Sequence, residues 1–462
     1  MSSDPEQAPP TDPASPTRTR RPWWIPFFLG AIPDVDAKSL TLLGTVGLAV
    51  FFEAYDLSLL TSALSFIAAD LEITEETLGL WTGLIRLGGL PAFALLPFAD
   101  RFGRRKVFLA SLLGLSLATL ASAFSPTILV FALLQMLARV SFITFSATAI
   151  VIISEEFPAK HRGWGMGIFG ALGALGYGLS AILFSQIEVL PGGWRALYLV
   201  GAAPLLFLPV FLRNVPETRR FAEIQQQRDD LEGPTSNLLG WAQPIRDLFT
   251  TYPQRMLGVT LACFIYAASE LAVMQFVPYF ILEEHGWEPW QYSALILLGG
   301  LIPLWANVAA GRLGDRFGRR PVGMAVMSML PLGAICFFHV SSDLLAIFWI
   351  ILSFGSVAAN VMLRAIVTES FPTSQRSTAA GWMTLTGTVG AALGLWSISW
   401  GQSMGFTLPT IESIVSCFAI IAGLALFLLP ETRGLELEEI SDDPHAAPQA
   451  ARQGSSPVTS SR

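Results

Sequence analysis

The chain has 462 residues, of which 52% are hydrophobic and only 14% charged, with a mean hydropathy of +0.55; this balance excludes a soluble multidomain protein and points to the membrane. The net charge of -7 sits largely in polar ends and loops and carries no nucleic-acid message. Three cysteines, Cys263, Cys336 and Cys417, lie far apart in apolar stretches and indicate neither disulfides nor a metal site.

Apolar stretches long enough to cross a hydrocarbon core of ~30 Å, which takes about 20 helical residues, recur along the chain. They lack the alternation of barrel strands, so helices must satisfy their backbones. Residues 1–38 form a tail rich in Pro, Ser and Thr, in which Arg18, Arg20 and Arg21 precede Trp23-Trp24-Ile25-Pro26-Phe27-Phe28. The apolar run is too short and proline-broken for a twin-arginine export signal; it reads as a cytoplasmic tail ending in an interfacial aromatic anchor.

Six spans are expected at 40–69, 78–98, 106–124, 126–153, 164–188 and 194–213, forming a first bundle over 39–213. A polar linker at 214–254, with Gln225-Gln226-Gln227-Arg228-Asp229-Asp230, marks the boundary. Six more spans, at 255–282, 289–311, 321–340, 342–367, 378–401 and 407–429, form a second bundle over 255–429, and a polar tail expected to be disordered covers 430–462.

The two halves repeat each other. Asp100-Arg101-Phe102-Gly103-Arg104-Arg105 returns as Asp315-Arg316-Phe317-Gly318-Arg319-Arg320. Glu155, Phe157, Pro158 and Arg162 return as Glu369, Phe371, Pro372 and Arg376, and Pro216-Glu217-Thr218-Arg219 as Pro430-Glu431-Thr432-Arg433. The displacement is constant to within one residue. The expected fold is therefore an all-α membrane protein with twelve transmembrane helices in two pseudo-symmetric six-helix bundles.

Arg101, Arg104, Arg105, Lys106, Lys160, Arg162, Arg316, Arg319, Arg320 and Arg376 fall in alternate loops on one side, together with the linker and both ends. By the positive-inside rule that side is cytoplasmic. The opposite loops are acidic, with Asp70, Glu72, Glu75, Glu76, Glu283, Glu284 and Glu288, and carry almost only Arg195 as a cation.

Inside the spans lie Glu53, Asp56, Arg86, Arg139 and Glu270. Left unpaired, five such groups would together cost about 12 to 18 kcal/mol on the insertion scale, so they are expected to face one another around a wet cavity. Glu53 and Asp56 are one helical turn apart on one face, where a poorly solvated carboxylate can be poised to take and release a proton. The alternative is that they only brace helices against Arg86 or Arg139. Those two arginines are candidate partners for an anion, since guanidinium stays charged and meets a carboxylate bidentately; permanent bridges to Glu53 and Asp56 are the competing reading. Gln135, Arg139 and Ser146 share a face of span four, and Tyr266, Ser269 and Glu270 share a face of span seven. A site between two repeats is where a carrier binds its substrate. Arg364, near the cytoplasmic end of span ten, reads as a gating or a snorkelling residue. Gly167, Gly170, Gly173 and Gly176 in span five, and Gly381, Gly387 and Gly390 in span eleven, make small-residue stripes that let helices approach closely.

These residues resemble the major facilitator superfamily over the whole chain apart from its tails. The pattern Gly-x-x-x-Asp-Arg-x-Gly-Arg-Arg is complete from Gly311 to Arg320; in the first half Leu96 stands in the glycine's place. Glu155, Pro158, Arg162 and the two Pro-Glu-Thr-Arg motifs resemble the branch of sugar porters and organic-acid symporters. Glu53-Ala54-Tyr55-Asp56 is similar to the acidic motif of aromatic-acid and metabolite:proton symporters, with glutamate for the usual first aspartate. The span-seven motif typical of sugar porters and the span-five proline-glycine motif typical of drug antiporters are missing.

The resemblance implies alternating access by rocking of the two halves. It also implies cytoplasmic ion-pair latches that hold the inner gate shut, built from Asp100, Arg101, Arg104, Arg105, Glu155, Arg162, Glu217, Arg219, Asp315, Arg316, Arg319, Arg320, Glu369, Arg376, Glu431 and Arg433, with tight turns at Gly103 and Gly318. The expected function is proton-coupled import of a small organic anion, such as an aromatic acid, across the inner or plasma membrane. Asp56 and Glu53 would carry the proton, and Arg139 or Arg86 the substrate's charge, with Tyr266 and Glu270 in the same site. Sugar or polyol uptake, drug or metabolite efflux and a non-transporting sensor are the alternatives. A channel is disfavoured because there is no ring of like residues, and no nucleotide-binding loop supplies ATP chemistry. The expected partners are a small-molecule substrate, protons and the lipid bilayer, with no nucleic acid, no cofactor, no metal, no enzyme activity, and the monomer as the working unit.

Overall fold

The computed structural model describes residues 22, 24–25, 32–218, 221, 242–300, 302–372 and 375–433, and of 96–98, 100, 159, 242 and 302–304 only the backbone. The expectations about the remaining tail residues, about Arg219 and about most of the linker lie outside the described residues. All described elements are helices.

Span one is Ala37–Ser62, followed by a short turn of helix, Leu64–Asp70. It starts at Asp36, whose carboxylate accepts the Ser39 backbone N–H at 3.3 Å, which satisfies one of the unpaired donors of a helix N-terminus. Span two is Glu75–Leu87 plus Leu90–Phe102, span three Arg104–Ser122, span four Ile128–Glu156 and span five Arg162–Phe184. Span six is Trp194–Gly201 and Leu208–Asn214 joined by a 3-10 turn, Ala203–Leu205. Ala242–Thr251 is a helix at the end of the linker. Span seven is Pro253–Glu283, span eight Pro289–Gly299 plus Ile302–Phe317, span nine Arg319–His339, span ten Leu345–Glu369, span eleven Arg376–Ser403 and span twelve Leu408–Ala425.

Spans two, six and eight, expected as continuous helices, are interrupted. The physical causes are in the sequence: Gly88-Gly89 before Pro91, Pro204 and Pro209, and Gly299-Gly300 before Pro303. Proline offers no N–H and glycine holds a helix weakly. Ten helical segments among the described residues are long and apolar enough to cross a membrane. The split span eight and span eleven, whose hydropathy Thr384, Thr386, Thr388, Ser397 and Ser399 reduce, complete the twelve.

The repeat in sequence is a repeat in packing. Span one lies along span five as span seven lies along span eleven, and spans three and four pair as nine and ten do. Gly176 and Gly390 occupy equivalent places in this scheme. A Cβ on Gly176 would stand 2.0 Å from the Phe51 carbonyl oxygen, and one on Gly390 2.1 Å from that of Phe264. Each glycine therefore lets its helix touch the backbone of its neighbour. Leu129, Leu133 and Leu137, a stripe on span four, are each more than half exposed, as suits a surface that meets lipid rather than water.

The connections with Gly103 and Gly318 are nearly superimposable in conformation. Both residues have φ of 103°, a region that a side chain makes costly, so each repeat turns sharply from span two to three and from span eight to nine.

Candidate functional site

The ionisable residues of the spans converge between the two halves. Asp56 Oδ1 accepts the Thr119 hydroxyl at 2.9 Å. Glu53, only 5% exposed, lies beside Ser146 of span four. Tyr55, between the two acids, is fully buried and donates to the Leu197 carbonyl at 2.9 Å, which anchors this turn of span one against span six.

Asp56 lines a small chamber of about 30 Å³ with Arg86, Gln135, Arg139, Thr61 and Gln275, room for one or two water molecules. The two arginines also border a larger cavity of about 250 Å³. It is lined by Arg86 and Arg139 again and by Tyr266, Glu270, Asn360, Arg364 and Thr384 among others. Arg86 and Arg139 thus form a wall shared by both spaces. Neither forms an ion pair within 4 Å among the described residues, so the permanent bridges to Glu53 and Asp56 of the competing reading are absent among them. Arg139 lies 5.1 Å over the Phe142 ring, and Arg86 interacts at longer range with Glu270 and Tyr177.

Glu270 Oε1 accepts the Ser356 hydroxyl at 2.6 Å. Tyr266 and Ser269 share its face as expected, but both are buried. The Ser269 hydroxyl bonds back to the Ile265 carbonyl at 3.1 Å, and the Tyr266 hydroxyl has no partner among the described residues. Gln135, on the face of span four that carries Arg139, donates to the Ser122 hydroxyl at 2.9 Å.

At the arginine-rich end the two repeats build matching clusters. Arg104 meets Glu155 at 3.5 Å, and its counterpart Arg319 meets Glu369 through two nitrogens, at 3.0 and 3.2 Å, and Asp315 at 2.9 Å. Thr432 also donates to Glu369. Glu217 and Glu431 do something different from pairing with arginine side chains. Glu217 accepts the backbone N–H of Arg105 at 3.1 Å, and Glu431 those of Arg319 at 2.7 Å and Arg320 at 3.1 Å. They cap the first turns of spans three and nine, where the helix dipole favours an anion. Arg101 and Arg316 are exposed and lie over the rings of their own neighbours Phe102 and Phe317. Arg162 stands exposed at the start of span five, and Arg376 Nε donates to the Phe371 carbonyl at 3.1 Å. The Arg433 N–H donates to Glu431 at 3.2 Å. The side chain of Asp100 lies outside the described residues.

All these contacts stay within one half. Among the described residues no ion pair at this end joins one half to the other, so the clusters do not hold a gate shut in this arrangement. The open side is visible in the glycine stripes as well: nothing lies within 4 Å of a Cβ placed on Gly167, Gly170 or Gly381. At the acidic end the halves do meet. The Leu80 N–H donates to Ser399 at 2.8 Å and the Leu80 carbonyl accepts from Trp396 at 3.1 Å. Tyr279 donates to Glu75 at 3.0 Å, Thr61 to Gln275 at 3.1 Å, and Phe184 packs edge-on against Tyr292. A central cavity with charged walls is closed at the acidic end and lined by Arg364 and Thr384 towards the other.

Comparison with known proteins agrees with this architecture. The model of the Major Facilitator Superfamily matches residues 46–302 and 259–452. The chain belongs to the Major Facilitator Superfamily. Among similar members, a benzoate transport protein of Acinetobacter baylyi is 26% identical over 434 residues, covering 85% of this chain and 90% of its own. A niacin transporter of the same organism is 25% identical over 372 residues, covering 76% and 84%. The xylose transporter XylE from E. coli in its inward open conformation has the same fold, with a TM-score of 0.68 at 17% identity over 87% of this chain and 98% of its own.

This facilitator is therefore an integral membrane transporter for a small molecule and not an enzyme. Sequence reasoning missed Gln275 and Asn360, which line the cavities, Thr119 and Ser356, which donate to the acids, and Tyr177, which interacts with Arg86. It also missed Glu412 in span twelve, fully buried, which the same rule about ionisable residues inside spans picks out.

Proposed function

We propose that this facilitator is a proton symporter that imports a small carboxylate, aromatic or otherwise, by alternating access. Its two halves, 39–213 and 255–429, rock about the central cavity, and the monomer is the working unit. The arginine-rich end and both termini face the cytoplasm of an inner or plasma membrane. Asp56, with Glu53 behind it, carries the proton; Arg139 and Arg86 hold the substrate's carboxylate, with Tyr266 beside it.

The observation that carries this reading is the shared arginine wall. A substrate carboxylate entering the larger cavity reaches the same guanidinium groups that face Asp56 from the small chamber, and arginine favours planar, two-point contact with a carboxylate. Anion binding on one side and the protonation state of Asp56 on the other then act on one pair of charges, which is what coupling requires. The charged clusters of the two halves, from Arg101 to Arg433, come together at the cytoplasmic side when the cavity opens outward. The similarity to a benzoate transport protein and a niacin transporter supports the choice of aromatic acids as the first substrates to try.

The experiment is solute-driven proton entry into proteoliposomes holding the purified full chain, with benzoate and nicotinate set against xylose and a polyol. Proton entry with a carboxylate, lost in Asp56→Asn while counterflow exchange of the carboxylate persists, is the expected result. Uptake of a neutral sugar that survives Arg86→Gln and Arg139→Gln overturns the carboxylate assignment. Carboxylate exchange with no proton movement overturns the role of Asp56 and Glu53.

A further inference from the structure

Asp56 lies in span one and Glu270 in span seven, the spans that open the two halves. Each is served by a hydroxyl of its own half, Thr119 at 2.9 Å for Asp56 and Ser356 at 2.6 Å for Glu270. Asp56 lines the small chamber and Glu270 the larger cavity, and Arg86 and Arg139 border both. Both arginines belong to the first half, whereas Glu270 belongs to the second.

We infer that Glu270 is a tethered competitor of the substrate: in the empty carrier it neutralises Arg86 from the larger cavity, and an incoming carboxylate displaces it. This rests on the carboxylate reading above and gives Glu270 a role distinct from that of Asp56. Arg86 and Glu270 interact electrostatically across the cavity, and Arg364, which lines the same cavity, also acts on Glu270. When substrate takes Arg86, Glu270 retains Ser356, Asn360 and Arg364 as its partners within the second half. The displaced acid then pulls no longer on the first half, so loading releases a cross-half attraction that the empty carrier keeps. Such a device lets the empty carrier return with its cavity charges balanced and sets a threshold of affinity that a neutral solute cannot meet.

An internal ligand that occupies its site about nine-tenths of the time weakens the apparent affinity of an external one about tenfold. Removing the charge should therefore tighten binding. In nanodiscs holding the full chain, Glu270→Gln is expected to bind benzoate about tenfold more tightly than wild type while slowing net uptake, and Ser356→Ala to shift affinity in the same direction by less. A structural role or a direct contact between Glu270 and substrate predicts weaker or unchanged binding. A second readout needs no substrate: labelling of Arg86 by phenylglyoxal, followed by peptide mass spectrometry, is expected to quicken in Glu270→Gln and in Glu270→Ala. Unchanged labelling together with normal benzoate binding overturns the competitor alone. Failure of wild type and Glu270→Gln to bind benzoate or nicotinate, with labelling quickened, overturns the carboxylate reading and the competitor role with it, leaving only the charge pair.

Discussion

Thr61 of span one and Gln275 of span seven bond to each other across the two halves, the Thr61 hydroxyl donating to the Gln275 side-chain oxygen at 3.1 Å. This bond joins the two halves at the closed acidic end. The Gln275 amide nitrogen is buried without a partner among the described residues, which leaves the oxygen as the whole of the glutamine's attachment. Thr61→Val removes the donor and costs the closed acidic end about 1 to 2 kcal/mol, a five- to thirtyfold gain for the arrangement in which that end parts. Spin labels at Glu76 and Glu284, one on each half, should report a longer distance population in Thr61→Val. An unchanged distribution would show that Leu80, Trp396, Ser399 and Tyr279 close that end unaided.

The capping acids are separable from the ion pairs around them. Glu431 accepts the N–H groups of Arg319, Arg320, Thr432 and Arg433, whereas Glu217 accepts those of Arg105 and Thr218. Loss of a helix cap typically costs about 0.5 to 2 kcal/mol. Glu431→Ala is therefore expected to lower the unfolding temperature more than Glu217→Ala, and Glu431→Gln, which retains an accepting oxygen, less than either. Equal losses in Glu431→Ala and Glu431→Gln would instead assign the stabilisation to charge.

The two glycine stripes divide into positions that pack and positions that do not. Gly176→Val and Gly390→Val drive a side chain into a neighbouring backbone carbonyl, and overpacking of this kind costs about 1 to 3 kcal/mol. Gly167→Ala and Gly381→Ala add a methyl group where nothing stands within 4 Å and should change stability by less than about 0.5 kcal/mol. Thermal unfolding of the four purified variants checks both halves of the claim. If Gly167→Ala and Gly381→Ala fold stably yet transport slowly, those faces close against another helix during the cycle.

What could be read from the sequence was whatever interrupts an apolar background with rare letters. The repeated Asp-Arg-Phe-Gly-Arg-Arg marked the duplication and the two sharp turns, the long apolar runs marked the twelve spans, and Glu53, Asp56, Arg86, Arg139 and Glu270 stood out because charge is scarce in spans. The partners of those acids were not legible, because Ser and Thr are common in spans and spacing alone does not tell which of them faces a neighbour. Thr119 and Ser356 differ from Ser116 or Ser328 only in what lies opposite. The capping by Glu217 and Glu431 was hidden for another reason: an acid close to an arginine run looks the same in sequence whether it takes the side chains or the backbone. The helix breaks at Gly88-Gly89 and Gly299-Gly300 could have been read, but glycine in a span signals close packing as often as a break.

Glu412 supplies the sharpest test of burial, since it is fully buried in span twelve and neither carboxylate oxygen has a partner among the described residues. Spans seven and nine pack along it, and a polar group enclosed in this way keeps the cost of leaving water without the return of a hydrogen bond. Replacing it by an apolar side chain of similar length removes that cost rather than creating a cavity. Glu412→Met is expected to raise stability by about 1 to 3 kcal/mol, read as a higher unfolding temperature of the purified protein, while Glu412→Gln, which still buries polar atoms, gains less. A fall in stability for Glu412→Met would mean that the carboxyl group is paired in the dominant solution arrangement. Raised stability accompanied by lost transport would place its partner in the outward-open arrangement, in which the packing around span twelve must then differ.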